Sequence, residues 1–485
     1  MDEDVFEVAG RTEYLYLVQE EEAQEEVQYA RHRHYISPLL VLSRRCVLFI
    51  LLCVLALLSL ASYLAYVAQT LPSGAAQVRP LKAEGKVLGQ EDCLFINVWT
   101  PALQPAHRLP VMVWMHGGYL HMLSGGEPGY SPTEKLAADT EMVFVSFNYR
   151  LNAFGFMALN MLREGSPSNT SGNYGFMDQI AALKWVQENI HVFGGDPEKV
   201  TIFGQSSGGT SVWTMMMSPL AKGLFRAAVD MSGSYVYKAT LEQAESDNLL
   251  FLQRTGCNEL TDLPLRGHFV GPVAVVDGYV LEAPPLRGVG EEERKLQRRP
   301  VCYRDDGAGA DFSPRAENIS SWTWGDYSCD ALELYPSSAP CPTGDRCPER
   351  SFTSMVSDIR VTCPNNDLAR RAAGSGQPGV PVRCDAHPLR PVNVSGDLLP
   401  FPSRFSFHCL DTLSFFRGLE AALGKKLSDG DRSFQDLITK HLVTFAKTGQ
   451  HASCACDYLS TVQSYSSARC QLWEENGLFA YAWTN

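Results

Sequence analysis

The chain has 485 residues, 45% hydrophobic and 20% charged. That is enough apolar material for a large core, and it excludes disorder as the main state. With 41 Lys and Arg against 54 Asp and Glu, the formal charge is -13, the wrong sign for a protein that grips a phosphate backbone. The 14 cysteines are too sparse for a disulfide scaffold, so their placement decides what they mean.

In chain order, residues 1–45 carry ten acidic side chains and five Arg and lack a large apolar face, the composition of a disordered tail. Residues 46–68 (CVLFILLCVLALLSLASYLAYVA) hold 23 residues without a charge, which at about 1.5 Å per residue cross a bilayer as one helix. Arg31, Arg33, Arg44 and Arg45 precede this segment and only Arg79, Lys82 and Lys86 follow closely, so the N-terminus is expected in the cytoplasm. The chain then reads as a single-pass type II protein of the plasma membrane, with its C-terminal domain extracellular. In that orientation every cysteine except Cys46 and Cys53 lies in an oxidising space. The sequons at Asn169, Asn318 and Asn393 fall on the same side, as glycosylation requires.

A stalk at 69–84 leads into one large domain at 85–485. There, apolar runs alternate with amphipathic stretches, the pattern of an α/β fold with a mostly parallel sheet. Strands are expected at 111–116, 142–150, 200–206 and 225–234. The segment DQIAALKWVQENIHVFG places Ile180, Leu183, Val186 and Ile190 on one helical face. The stretch 287–357, rich in Ser, Pro, Cys and charge, reads as irregular surface structure.

The chemistry centres on VTIFGQSSGG. Gly204, Gln205, Ser206, Ser207 and Gly208 form a G-x-S-x-G run between a strand and the helix expected from GGTSVWTMMM. A sharp strand-to-helix turn needs glycines, and it lifts the Ser206 hydroxyl clear of the backbone. A plain packing turn gives the same short motif. A second feature, MHGGYL at 115–120, offers backbone N–H groups at Gly118 and Tyr119. With that of Ser207 they would form an oxyanion hole.

These motifs resemble the type-B carboxylesterase and cholinesterase family. EDCLFINVWTP (91–101), PVMVWMHGG (110–118), NYRLNAFGF (148–156), GNYGFMDQIAALKWVQENIHVFGGDPEKVTIFGQSSGG (172–209) and SPLAKGLFRAAVDMSGS (218–234) match its pattern in order. The resemblance implies an α/β-hydrolase fold with Ser206 as nucleophile. It also implies His408, in FHCLDTLSFFRG, as general base, and Asp306, in RDDGAGADF, where the family usually has Glu. Asp305 or Asp311 remain alternatives for the acid. It implies a disulfide between Cys363 and Cys470. Such a triad needs no cofactor and no metal.

The pattern is also broken. After GKVLG (85–89) the chain passes directly to QEDC, and roughly sixty residues of the family pattern are absent. With them go a partner for Cys93 and an Arg for Glu91. Tyr119 stands where the family has a third Gly, adding bulk to the oxyanion loop. Two readings follow: a membrane-anchored serine hydrolase acting on an ester substrate, or a weakly active or inert adhesion molecule that binds a cell-surface protein partner. The second arrangement resembles neurotactin-type adhesion proteins.

Overall fold

The computed structural model describes residues 7–8, 11–12, 77–78, 87–233, 239–255, 274–282 and 301–305. It further describes most of 331–374, and 379–384, 408–450 except 425, 459–461 and 467–475. The expected membrane helix at 46–68, the sequons at Asn318 and Asn393, and Asp306 and Asp311 lie outside these residues. Among the described residues no helix is long and apolar enough to cross a membrane. Two units divide at Leu71, and in the first the described residues form a two-residue antiparallel ladder between Glu7–Val8 and Arg11–Thr12.

The second unit is built on an eight-stranded sheet: β1 (Ile96–Trp99), β2 (Leu109–Met115), β3 (Val143–Phe147), β4 (Gly195–Gln205), β5 (Ala227–Met231), β6 (Val301–Asp305), β7 (Gly379–Cys384) and β8 (Leu459–Thr461). Its spatial order is β8-β7-β6-β5-β4-β2-β3-β1. The six inner strands are parallel, and only the edge strands β1 and β8 run antiparallel to their neighbours. Helices cover both faces, which is the α/β architecture expected from the alternation of apolar runs.

The two-residue side-chain period of β2 sorts the core. Val111, Val113 and Met115 face one way, against α1 (Tyr174–Asn189) and α2 (Ser207–Met217). Met112 and Trp114 face the other, where Phe434, Ile438, Leu442 and Phe445 of α3 (Asp429–Thr448) close the second layer. In α1, Ile180, Leu183 and Val186 are buried, and Ile190 follows in a short 3-10 turn. Asp178 on the same helix receives both the Nε and Nη2 of Arg150, at 2.8 and 2.7 Å, tying it to the segment that leaves β3.

The stretch 287–357 departs from its expected irregularity. Val301–Asp305 is a central strand, paired in parallel with both β5 and β7, and Cys347–Ser357 is helical. Five residues, VCYRD, suffice for a strand when both neighbours supply ladder partners, and the polar composition around them concealed it. Within the expected stalk, Gln77–Val78 pairs antiparallel with Val87–Leu88.

Cys363 and Cys470 form a disulfide with Cα atoms 5.1 Å apart. Ala331, Tyr335, Ile359 and Trp473 bury themselves around it as a small satellite core.

Candidate active site

In a doubly covered parallel sheet, a crevice opens outside the carboxyl ends of adjacent strands whose connections leave in opposite directions. Here that point lies between β2 and β4. From β2 the chain moves to β3 on one side, and from β4 to β5 on the other. Met115 and Gly204 are register partners at the ends of the two strands. The loop 116–120 and the turn at Ser206 therefore emerge side by side.

Ser206 has φ 58° and ψ -128° and caps the N-terminus of α2. This strained conformation is rare for a residue with a Cβ and marks a turn held by its surroundings. The hold is visible. The Ser206 N–H donates to Met231 O at 2.9 Å, and a Cβ on Gly208 would overlap Met115 O and the His116 carbonyl. Only glycine lets α2 start this close to β2. Trp213 of α2 donates to Asp230 Oδ2 at 3.1 Å, while Asp230 Oδ1 accepts from Gly233 N at 2.8 Å, so the helix is pinned to β5 as well.

The loop at 116–120 follows the same logic. Gly118 and Tyr119 both have positive φ, 106° and 60°. The backbone N–H groups of His121 and Met122 both return to Gly118 O. Leu120 N donates to Ser207 Oγ at 3.2 Å, which fastens this loop to the first turn of α2. The N-terminus of a helix and successive backbone N–H groups thus meet at one place, an arrangement suited to negative charge. Tyr119 has Arg360 as an electrostatic neighbour. Arg360 belongs to a π-helical turn, Asp358–Thr362, and burial lowers its pKa, with Tyr119 opposing that shift.

His408 is 8% exposed and Ser206 7%. Gln205, the residue before Ser206 in the chain, hydrogen-bonds the ring: its Nε2 lies 2.9 Å from His408 Nε2 and 3.2 Å from Nδ1. On its other side Gln205 Oε1 accepts from the Tyr130 hydroxyl and from Cys409 Sγ, the latter at 3.4 Å. Burial pushes the Tyr130 hydroxyl well above its ordinary pKa; Cys409, Tyr149 and Asp411 add to this and a Gly117 backbone hydrogen bond opposes it. His116 is also buried, and burial lowers its pKa to about 4 against a hydrogen bond to Gly117 O that raises it. Asp411 is buried and accepts from Thr412 N at 2.7 Å.

Of the residues read as the acid, Asp306 and Asp311 lie outside the described residues and Asp305 lies within them. β6 ends at Asp305, beside Arg383 of β7, and Asp306 is the next residue in the chain. The described part of the site therefore brings together Ser206, Ser207, the 116–120 loop and His408. Sequence reasoning missed Gln205, Tyr130 and Cys409, which join the strand-to-helix elbow at Ser206 to the histidine. Gln205 occupies a variable position of G-x-S-x-G, so the motif itself gave no signal. Cys409, with φ 75°, sits where a left-handed residue is required next to His408.

The carboxylesterase family model matches residues 65–264. The para-nitrobenzyl esterase of Bacillus subtilis (strain 168) is 49% identical over 169 residues, 35% of this chain and 33% of its own length. Over that stretch this chain is similar to the carboxylesterase family. The liver carboxylesterase of Sus scrofa is 51% identical over 144 residues, 30% of this chain and 24% of its own. Among solved structures, a thermophilic PNB esterase superposes with a TM-score of 0.65 at 28% identity, covering 82% of this chain and 88% of that one. The chain spans about a third of the length of the first curated relatives it matches by sequence. The matched stretch holds the 116–120 loop and the turn at Ser206, while His408 lies beyond it.

Proposed function

We propose that the chain is a membrane-anchored serine hydrolase of carboxylic esters. The observation that carries this reading is the elbow: Ser206 at positive φ on a helix N-terminus, beside a loop of backbone donors and linked through Gln205 to a buried histidine. Ser206 Oγ attacks the ester carbonyl carbon while His408 takes its proton. The carbonyl oxygen gathers charge opposite the N–H groups of Gly118, Tyr119 and Ser207. The C–O bond to the alcohol then breaks, and His408 returns the proton to the leaving oxygen. Water repeats the steps on the acyl-enzyme and restores Ser206. Asp306 orients His408 and balances the charge of its protonated ring. The anchor at 46–68 and the type II orientation place this chemistry at the cell surface, with glycans on Asn169, Asn318 and Asn393. Asn169 is exposed on its loop.

The test is covalent labelling of the full chain by a fluorophosphonate probe. Wild type is expected to label, and Ser206→Ala to lose labelling while keeping its thermal transition. Folded wild type that does not label overturns the reading.

A second reading, recognition of a cell-surface protein by a weakly active domain, is favoured by one contact. Gln205 Nε2 engages the ring nitrogens of His408 that a base must offer to Ser206. It predicts that cells displaying the chain cluster with partner-bearing cells equally well after Ser206→Ala. Clustering that Ser206→Ala abolishes would count against it.

A further inference from the structure

The side chain of Gln205 is completely buried at the end of β4. Its oxygen accepts from two groups, the Tyr130 hydroxyl and the Cys409 thiol. The other end of the amide, the NH2 group, faces His408, 2.9 Å from Nε2 and 3.2 Å from Nδ1. An N–H donor can bond only to a ring nitrogen that carries a lone pair. A neutral imidazole has one such nitrogen and a protonated ring has none. As it stands, the amide supports the neutral ring and opposes the protonated one.

That matters for a base that must accept a proton. Once the ring takes the proton from Ser206, both ring nitrogens carry N–H groups, and the amide NH2 would face a donor. Rotation of the amide by half a turn removes the conflict by presenting Oε1 to the ring. The partners on the far side tolerate the exchange, because a hydroxyl and a thiol can each accept as well as donate. A carboxylate at this position would present oxygen in every orientation and favour the protonated ring throughout. The titratable groups grouped around this cluster are Tyr130 and Tyr149 from the sheet side and Cys409 and Asp411 from the segment that carries His408.

We propose that Gln205 is a positioning residue of the hydrolytic site. Its amide holds the neutral His408 ring through Nε2 and turns over to Oε1 when the ring receives the Ser206 proton, with Tyr130 and Cys409 as the reversible partners. The inference rests on the hydrolase reading for the identity of that proton. The contacts that carry it do not depend on that reading.

The experiment follows the titration of His408 directly, by NMR of the detergent-solubilised full chain carrying 13C at histidine Cε1, with the resonance assigned by its loss in His408→Gln. Gln205→Glu is expected to raise the His408 midpoint by about one pH unit, because an ionised neighbour favours the charged ring. Tyr130→Phe frees the amide to present its oxygen and is expected to raise the midpoint by less. It also serves if Gln205→Glu does not fold. The acid limb of the fluorophosphonate labelling rate should move upward with each midpoint, so that labelling one pH unit below the wild-type midpoint slows about tenfold in Gln205→Glu. Midpoints of both folded variants that coincide with wild type overturn the proposal. Shifted midpoints in a protein that never labels support the hold of Gln205 on His408 and overturn the hydrolase reading instead.

Discussion

The elbow and the corner closed by Cys363 and Cys470 are each built around a fully buried tryptophan whose indole N–H must find an acceptor. In the elbow Trp213 donates to Asp230 at 3.1 Å, and that carboxylate sits on a strand already flanked by two parallel neighbours. In the corner Trp473 donates to the Tyr335 hydroxyl at 2.9 Å, which in turn donates to Asp358 Oδ2 at 2.6 Å, with the Arg469 guanidinium 4.5 Å above the Tyr335 ring. Burial and then Asp358 push the Tyr335 hydroxyl far above its ordinary pKa. The polar chemistry is similar and the support is not. Around Trp213 the large sheet core supplies the framework, and backbone segments approach so closely that only glycine fits between them. Around Trp473 there is a small cluster of side chains, and a covalent bond across 107 residues of sequence holds its two helices together. A small core buries too little surface to fix its own elements, so the crosslink supplies what packing cannot.

If close backbone approach holds the elbow, the largest effect should come from adding one carbon there. Gly208→Ala puts a Cβ onto Met115 O and the His116 carbonyl, both backbone atoms that cannot swing aside. A loss of about 5 kcal/mol or more is expected, read by urea unfolding, together with loss of fluorophosphonate labelling. Full labelling and unchanged stability would show that the elbow has slack. The next effect belongs to the corner. Replacing both Cys363 and Cys470 by Ser opens the long loop and should cost about 4.8 kcal/mol by the loop-closure relation. Hydrogen exchange is expected to rise in 363–374 and 467–475, while 200–217 keeps its protection and Ser206 still labels. Loss of protection in both regions would mean that the corner supports the elbow.

The elbow was legible in the sequence for the same reason that it is rigid. Gly204 and Gly208 flank Ser206 because backbone leaves no room for a side chain, and β4 announces itself by apolar residues on both faces. The α/β class, α1 and the strands β2 to β5 were legible from the same periodicities. The pairing of Cys363 with Cys470 came from family resemblance, since spacing alone does not choose among the cysteines. What stayed hidden depends on contacts distant in sequence. β6 is five residues in a polar stretch, recognisable as a strand only once β5 and β7 flank it. Gln205 meets His408 across 203 positions, and no local pattern marks a glutamine that will face an imidazole. The π-helical turn that carries Arg360 toward Tyr119 has no distinct sequence signature either.

The smallest effect separates the two regions by pH. His116 begins the 116–120 loop, stacks on Tyr149 at 4.4 Å, and lies 2.8 Å through Nδ1 from Gly117 O. Nδ1 is therefore the protonated nitrogen of the neutral ring, and a second proton would have to enter a fully buried site. Burial lowers its pKa from 6.5 to about 4, so the unfolded chain binds the proton first as pH falls. The stability of the fold is unaffected by this group above about pH 6.5, declines through the window down to about pH 4, and levels off below it, with a loss of about 2 kcal/mol already at pH 5. His116→Asn keeps an N–H donor for Gly117 O and has nothing to titrate. It should start less stable at pH 7, because the ring stack is lost, and should then lose about 2 kcal/mol less than wild type between pH 7 and pH 5. Urea unfolding at the two pH values measures both differences. Within wild type, exchange at pH 5 relative to pH 7, corrected for the intrinsic rate, should rise in 109–120 before it rises in 363–374, because the proton enters under the elbow and the disulfide still closes the corner. Equal pH slopes for wild type and His116→Asn would mean that His116 is not the group through which acid reaches this fold.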